Sequence, residues 1–347
     1  MYVTPEVETV NLNSQRERKE IQEFLTQFDL TYEGNAEYSI VMRADGRLIA
    51  TGSFAGEILC NIAVDDALQG MGLTATIVTE LMREQVRRGR LHYFLFTRPA
   101  KAHLFEALGF AEIARAEPYA ALLESGLGSV KSFCDDIRKQ FRNLDASRAA
   151  IVVNCNPFTK GHEALIRLAS QENEEVVVFV VSEDRSLFPF PDRFHLVKVG
   201  CAALANVIVV PTGPYMVSSA TFPTYFTREE DKVTAQTRLD VAVFAAQIAP
   251  RLGISVRYVG EEPYCPVTNA YNQAMQEILP TYGIALKRVN RYQTDGDIVS
   301  ASKVRELIRR NDWNGIARCV PTVTLDYLKS PEAAEVLENI RNSASRH

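Results

Sequence analysis

The sequence predicts an α/β protein in two parts: an α+β domain over residues 1–125 and a doubly wound, parallel-sheet domain over residues 149–347, with a connecting helix and linker at 126–148. Three observations carry this expectation. Up to residue 125, short apolar runs are joined through tight turns, the texture of antiparallel strands with interspersed helices. From Ala149 onward, continuous apolar or β-branched runs alternate with helical patterns, as in a sheet covered on both faces. Between the two, "ESGLGS" at 124–129 punctuates the pattern with two glycines and two serines.

The elements follow in order. "SQRERKEIQEFLTQF" reads as a helix with Ser14 as its N-cap. "YSIVMRADGRLIATGSF" reads as a hairpin turning at Asp45-Gly46, and "EILCNIAV" as a third strand. "DALQGMGLTATIVTELMREQVRRG" is a loop feeding a long helix, whose apolar stripe is Ile77, Val78, Leu81, Met82 and Val86. "LHYFLFT" is a buried strand, and "AKAHLFEALGFAEI" a short helix closed by Gly109 and followed by a strand. "VKSFCDDIRKQFRN" sets Val130, Phe133, Cys134, Ile137 and Phe141 on one helical face. The second domain offers the strands "AAIVVN", "VVVFVVS", "NVIVVPT", "SVRYVG" and "ALKRVNR", with helices at 161–171, 191–204, 235–251 and 269–279. In such sheets ligands bind beyond the carboxyl ends of the strands, where the strand order switches.

Composition narrows the function classes. The 38 Lys and Arg against 43 Asp and Glu give a net charge of −5, so no basic field points to nucleic acid. An anionic ligand would need local cations or backbone amides. Six scattered cysteines form no CxxC pair and read as buried free thiols in a reducing compartment. The start "MYVTPEVETVNLN" has no basic stretch leading into an apolar one, and the run "VVVFVV" is only strand-length. The expectation is a cytoplasmic protein without membrane contact.

Two stretches carry chemistry. In the first, Gln69-Gly70-Met71-Gly72 stands just before a helix, where backbone amides attract a pyrophosphate and glycines let the chain come close. By pattern alone it is equally a plain strand–helix turn. In context it resembles the acetyl-CoA loop of the GCN5-related N-acetyltransferases, and "LHYFLFTRPAKAHLFEALGF" is similar to that family's later strand and helix. Thr74 stands where the loop's last Gly or Ala usually lies, and Phe105 where a tyrosine is usual. The resemblance covers residues 1–120 and implies an acetyltransferase-like fold in which Gln69, Gly70 and Gly72 meet a CoA-like arm.

The second stretch is "IVVNCNPFTKGHEALI". A strand ends near Val153, Asn156-Pro157-Phe158 make a tight turn, and Thr159-Lys160-Gly161-His162 open a helix. Free amides and the helix dipole favour an anion there, Gly161 allows close approach, and Lys160 and His162 offer charged hydrogen bonds. An ordinary helix-start histidine is the alternative. "DIVSASKVRELI" adds a second helix start, with Ser300, Ser302 and, one turn in, Arg305; a serine cap with a solvated arginine is its alternative. Two such starts at the rim of one sheet suit a nucleotide phosphate clamp.

Together "TKGH" and "VSASKVR" resemble the signatures of the (H/T)xGH nucleotidyltransferases. That resemblance implies a Rossmann-like sheet, ATP as substrate with Mg²⁺ accompanying it, and attack on the α-phosphate. It implies that His162 stabilises the transition state, assisted by Lys160 and Arg305, and that Ser300, Ser302 and Arg305 hold the β- and γ-phosphates. A closer resemblance spans nearly the whole chain. An acetyltransferase-like domain followed by a nucleotidyltransferase-like one, with "NPFTKGH", "FPFPDRFHLVKVG", "NVIVVPTGPYMVSSATFPTYF", "YVGEEPYCPVTNAYNQAM" and "VSASKVREL" in that order, is similar to the citrate lyase ligase family. It implies ligation of acetate to the thiol of a dephospho-CoA-derived arm on the acyl carrier subunit of citrate lyase. ATP would become AMP and pyrophosphate by way of acetyl-AMP.

Other residues keep two readings. In "GPYMVSSATFPTYF", Tyr215, Ser218, Ser219 and Thr221 either wall a small acetate pocket or belong to a packed loop. Gly260 would let adenine or ribose approach, and Glu261 and Glu262 would bind ribose or Mg²⁺ or cap a turn. Asn156, Pro157, Phe158 and Thr159 complete the expected ATP-binding set. Arg193 either reaches a phosphate or sits on a helix surface, and Cys155 reads as a small buried filler. Two functional alternatives stand beside the ligase reading: an adenylyltransferase forming a dinucleotide or dephospho-CoA, and a non-catalytic protein that docks a CoA-like arm.

Overall fold

The computed structural model describes residues 6–32, 34–184, 186–216, 232–261, 266–294 and 296–343; counts below refer to these. They form two compact units: Met1–Ser132 with Ala220–Val243, and Phe133–Ser219 with Phe244–His347. Of the residues after Ala149, the described stretch Lys232–Val243 groups with the first unit.

In the first unit, β1 (Glu6–Thr9), α1 (Gln15–Thr26), β2 (Tyr38–Ala44), β3 (Arg47–Ala55), β4 (Ile58–Val64), α2 (Leu73–Arg87), β5 (His92–Thr97), α3 (Ala102–Glu106), β6 (Ala111–Ala116) and β7 (Ala120–Gly126) follow in sequence. The seven strands make one mixed sheet in the order β1-β2-β3-β4-β5-β7-β6. The period of two along β2 sorts the core. Ile40 and Met42 point toward Ile77, Val78 and Leu81 of α2, whereas Val41 faces Ile21, Phe24 and Leu25 of α1. The hairpin turns at Asp45-Gly46, both at positive φ, and Ser14 caps α1 by accepting from the Glu17 N–H. The parallel pair β4 and β5 is joined only at Ile58↔Phe94 and Leu59↔Leu95, so the two strands part beyond those residues.

The helix α4 (Val130–Arg138) straddles the point where the units divide. Then come β8 (Arg148–Val153), α5 (Lys160–Glu172), β9 (Glu175–Val180), α6 (Phe190–Gly200) and β10 (Val207–Pro211). The helix α7 (Lys232–Val243) belongs to the first unit, where it packs on β6 and β7. It runs on through a π-helical turn, Phe244–Ile248, into α8 (Ala249–Leu252). The second unit continues with β11 (Ile254–Gly260), α9 (Pro266–Ile278), β12 (Ala285–Val289), a small hairpin β13 (Gln293–Thr294) and β14 (Asp297–Ile298), and the helices α10 (Ala301–Arg309), α11 (Trp313–Cys319), α12 (Thr322–Lys329) and α13 (Ala334–Asn342).

All five strands foreseen from Ala149 onward are present, every pair is parallel, and the order is β10-β9-β8-β11-β12. Val176, Val178 and Val180 of β9 pack with Ile166 of α5 and Leu196 of α6. From the opposite side of the same strand, Phe179 meets Phe244 edge-on at 6.5 Å. Helices therefore cover both faces, as the unbroken apolar runs require. The chain runs outward through β8, β9 and β10, then returns to β11 on the other side of β8, so the order switches beside β8. Five described cysteines are buried free thiols; Cys265 lies outside the described residues. Among the described residues no helix is long and apolar enough to cross a membrane.

Candidate functional site

The turn from β8 into α5 is at the carboxyl rim of the central strand, where the order switches. Cys155 takes a positive φ of 52° and Asn156-Pro157 is a cis peptide bond. Phe158, expected as an ATP contact, is wholly buried in the core, and its ring leaves no room for a side chain at Gly200. Its carbonyl accepts from the Thr324 hydroxyl at 3.0 Å. Asn156 is likewise buried, its Oδ1 accepting from the Phe188 N–H at 3.1 Å. The side chains of both residues therefore shape the turn, and a ligand would meet the backbone here. Burial pushes the Cys155 thiol well above its usual range, which suits a filler and not a nucleophile.

Thr159 is the N-cap of α5 and His162 stands at N3, and the two form a reciprocal capping box. The Thr159 hydroxyl oxygen accepts from the His162 N–H at 3.4 Å, and the Thr159 N–H donates to His162 Nδ1 at 3.1 Å. The ring is half-buried but densely surrounded by protein. Loss of hydration, helped by the nearby charge of Arg291, lowers its pKa from 6.5 to about 4. His162 is therefore neutral near pH 7. That corrects the charged donor expected from the sequence: with Nδ1 accepting, the ring carries its proton on Nε2 as a neutral donor.

Lys160 is turned toward the last turn of α11, where its ammonium donates to the Ala317 carbonyl at 3.1 Å. At Gly161 a side chain would begin 3.4 Å from the Val299 carbonyl oxygen and 3.9 Å from Tyr292 Cβ, ordinary contact distances that leave room for a methyl. The segment before α10 therefore lies in van der Waals contact with the first turn of α5. Ser300 caps α10, accepting from the Lys303 N–H at 3.1 Å. Arg305 is buried; it donates to the Asn156 carbonyl oxygen, and to Ser302 Oγ at 3.4 Å. The two helix starts are therefore brought together, with Arg305 as a strut between them.

Arg193 takes neither of its two expected places. It is fully buried, and its guanidinium donates to the carbonyls of Phe188, Asn154, Val181 and Glu183 at 2.7–3.0 Å. It ties together the chain leaving β8 and the chain leaving β9. Tyr215 is buried with its ring 5.1 Å from that of Phe133, so the side chain expected at an acetate pocket is packed against α4. Ser218, Ser219, Thr221 and Glu262 lie outside the described residues. Gly260 is exposed at the end of β11, with no protein atom within 4 Å of where its side chain would start. Arg291, missed in the sequence, lies on the loop after β12 and donates from Nε to the Glu261 carbonyl at 2.7 Å. Its signal was one cation just past a strand end, indistinguishable from a solvated rim residue.

In the first unit, Gln69 bonds Asp66, and Gly70 and Gly72 take positive φ of 82° and 79°. Gly72 is the N-cap of α2 and supplies no side-chain hydrogen bond, so the amides of the first turn have no side-chain cap. Phe105 is buried edge-on to Phe110. Among the described residues no cluster of three or more His, Cys, Asp or Glu is arranged to hold a metal.

The second unit is thus a doubly wound, parallel-sheet α/β domain with two helix starts joined at its carboxyl rim. Residues 148–328 match the family model described as the citrate lyase ligase C-terminal domain. The chain is 38% identical over 322 residues to the citrate (pro-3S)-lyase ligase of Klebsiella pneumoniae, covering 91% of this chain and 94% of that one. It is 35% identical over 342 residues to the enzyme of the same name from Escherichia coli, covering 97% and 96%. The chain belongs to the citrate lyase ligase family. Two solved acyltransferase structures are far less similar. The ribosomal-protein-S18-alanine N-acetyltransferase of Escherichia coli aligns at 18% identity over 36% of this chain and 96% of its own, with a TM-score of 0.31. An acyl-CoA N-acyltransferase from Pseudomonas aeruginosa aligns at 12% over 35% and 100%, also with a TM-score of 0.31. With scores of that size, the fold of the first unit rests on its own strand order.

Proposed function

We propose that this protein is an AMP-forming acid–thiol ligase that activates citrate lyase by acetylating the thiol of a dephospho-CoA-derived arm on its acyl carrier subunit. The observation that carries the reading is membership of the citrate lyase ligases across nine tenths of the chain. The joined starts of α5 and α10 support a nucleotide step in the second unit.

Acetate has no leaving group that a thiol can displace. One of its carboxylate oxygens forms a bond to the α-phosphorus of ATP while the bond to the β-phosphate oxygen breaks, giving acetyl-AMP and pyrophosphate. The thiolate of the arm then forms a bond to the acetyl carbon, the bond to the AMP oxygen breaks, and the thiol's proton is released. Positioning and electrostatics do most of the work in such displacements. The Nε2–H of His162 is the neutral donor suited to the phosphate where charge develops. The amides of both helix starts receive phosphoryl oxygens, with Ser302 beside them and Gly260 leaving room for the nucleoside. Lys160 would leave the Ala317 carbonyl to join them, and Mg²⁺ would neutralise the phosphates on which it is carried. The first unit would receive the CoA-like arm at Gln69, Gly70 and Gly72, where the amides opening α2 have no side-chain cap. The identity to ligases favours neither the adenylyltransferase nor the non-catalytic alternative.

Pyrophosphate release from ATP, followed with and without acetate, tests the reading. The parent should release pyrophosphate only with acetate, and His162→Ala should lower that rate by roughly 100-fold, the usual loss for one donor at a developing charge. Release indifferent to acetate would return the chain to the adenylyltransferases, and ATP binding without turnover would make it a docking protein.

A further inference from the structure

Asn154 is the first residue past β8, at the carboxyl rim of the central strand, and it is exposed. Its amide is nonetheless fixed from two sides. The Arg193 guanidinium donates to Oδ1 at 2.9 Å. The Ser186 hydroxyl accepts from Nδ2 at 3.0 Å and donates to Oδ1 at 3.3 Å. A guanidinium only donates, so the atom it touches is the amide oxygen, and the orientation of the amide follows. Because Ser186 bridges both atoms, it takes the hydrogen on the oxygen's side of Nδ2. The second Nδ2 hydrogen points away from Ser186, and no hydrogen bond among the described residues uses it.

The central strand has two flanks at this rim. On the flank of β11, Arg291 Nε reaches the Glu261 carbonyl at 2.7 Å, and the same loop continues past Gly161 to the α10 cap. The amides of both helix starts gather on that side. On the flank of β9 stands the Asn154 amide, held by Ser186 and Arg193 of the chain that follows β9. In a displacement at phosphorus the attacking and leaving oxygens are in line, on opposite sides. With the leaving phosphates at the helix starts, the attacking acid comes from the flank of β9. Arg193 is fully buried and does not meet it directly, but its charge on Oδ1 polarises the amide and strengthens the remaining N–H as a donor.

We infer that Asn154 binds the carboxylate of the acid substrate, donating its remaining Nδ2–H to one carboxylate oxygen while the other attacks the α-phosphorus. This rests on the ligase reading for the acid's role as nucleophile, though not for the binding of the carboxylate. The amide gives up no proton; it fixes the direction from which the acid approaches.

The test uses the intact protein and compares the parent with Asn154→Asp and Asn154→Ala. Aspartate has the shape of asparagine and keeps oxygens for Arg193 and Ser186, but replaces the N–H donor with a negative charge. Alanine loses all three. In pyrophosphate release from ATP, Asn154→Asp should raise the KM for acetate by roughly 10- to 100-fold, as expected on losing a hydrogen bond to a charged group, and leave the KM for ATP near the parent's. Asn154→Ala should fall between the parent and Asn154→Asp. A purely structural residue predicts the reverse order, with alanine the more damaging, and that order overturns the inference. So does a parent-like acetate KM in Asn154→Asp, or an ATP KM that rises as much as the acetate KM. If the parent shows no acetate-dependent release, the ligase reading fails, and NMR line broadening of acetate in the presence of α,β-methylene ATP decides the role of Asn154. Broadening by the parent that Asn154→Asp abolishes upholds it; no broadening by the parent, or equal broadening by both, overturns it.

Discussion

His162 divides its two ring nitrogens between folding and ligand. Nδ1 accepts from the Thr159 N–H and completes the helix cap, so only Nε2 is left to face a substrate. Burial and Arg291 hold its pKa near 4, below the usual 6.5. The sign of the linkage follows. The unfolded chain takes up a proton on this histidine below about 6.5 and the folded chain does not until about 4. Stability is therefore full above that window and declines as pH falls through it. The C2 proton of His162 should show no NMR titration shift between pH 8 and pH 5.5, and His162→Gln should lose less thermal stability than the parent between pH 7 and pH 4.5. A midpoint near 6.5 in the free protein would contradict the assignment. The residues themselves were legible in the sequence, because capping chemistry is local: Thr, Gly and His in consecutive helix-start positions can be read directly. The charge state was not, because it is set first by burial in the folded protein and then by Arg291, more than a hundred residues away.

At the scale of elements, the β8–α5 turn is held from below. Phe158 anchors it beneath α6, Arg193 laces it to the end of β9, and Arg305 braces it against α10. Gly200→Ala would place a methyl 2.4 Å from the Phe158 ring, and Phe158 has no exposed direction in which to move. Chemical denaturation should show a loss of about 1–3 kcal/mol, the usual cost of overpacking, together with weaker nucleotide binding because the turn itself shifts. Unchanged stability would mean that α6 does not press on the turn. The five strands and their helices were readable from unbroken β-branched runs such as "VVVFVV". Arg193 was not: in "FPDRFHLVK" nothing marks it as buried, since the carbonyls that consume its donors belong to four separate residues on two other segments.

For the molecule as a whole, the first unit is discontinuous in sequence, its later described part being Lys232–Val243. No periodicity announces this, because α7 looks like any crossover helix and only its packing on β6 and β7 reveals its owner. The discontinuity governs how the arm-binding reading is tested. Deleting residues 1–125 would strip α7 of its own partners, so substitutions in the intact chain are the cleaner probe. Gly72→Ala, at a φ of 79° that a side chain tolerates poorly, should reduce transfer of acetyl to the carrier arm several-fold and leave acetate-dependent pyrophosphate release unchanged. Equal carrier acylation in parent and variant would remove the first unit from the reaction. The same discontinuity sets a timetable. During synthesis the chain finishes β7 long before it reaches α7, and roughly a hundred residues at ~5–20 per second make a wait of about 5–20 s. Throughout that interval the apolar surface on β6 and β7 that α7 will cover has no helix to cover it. That surface stays bare until the strands β8, β9 and β10 have all been made.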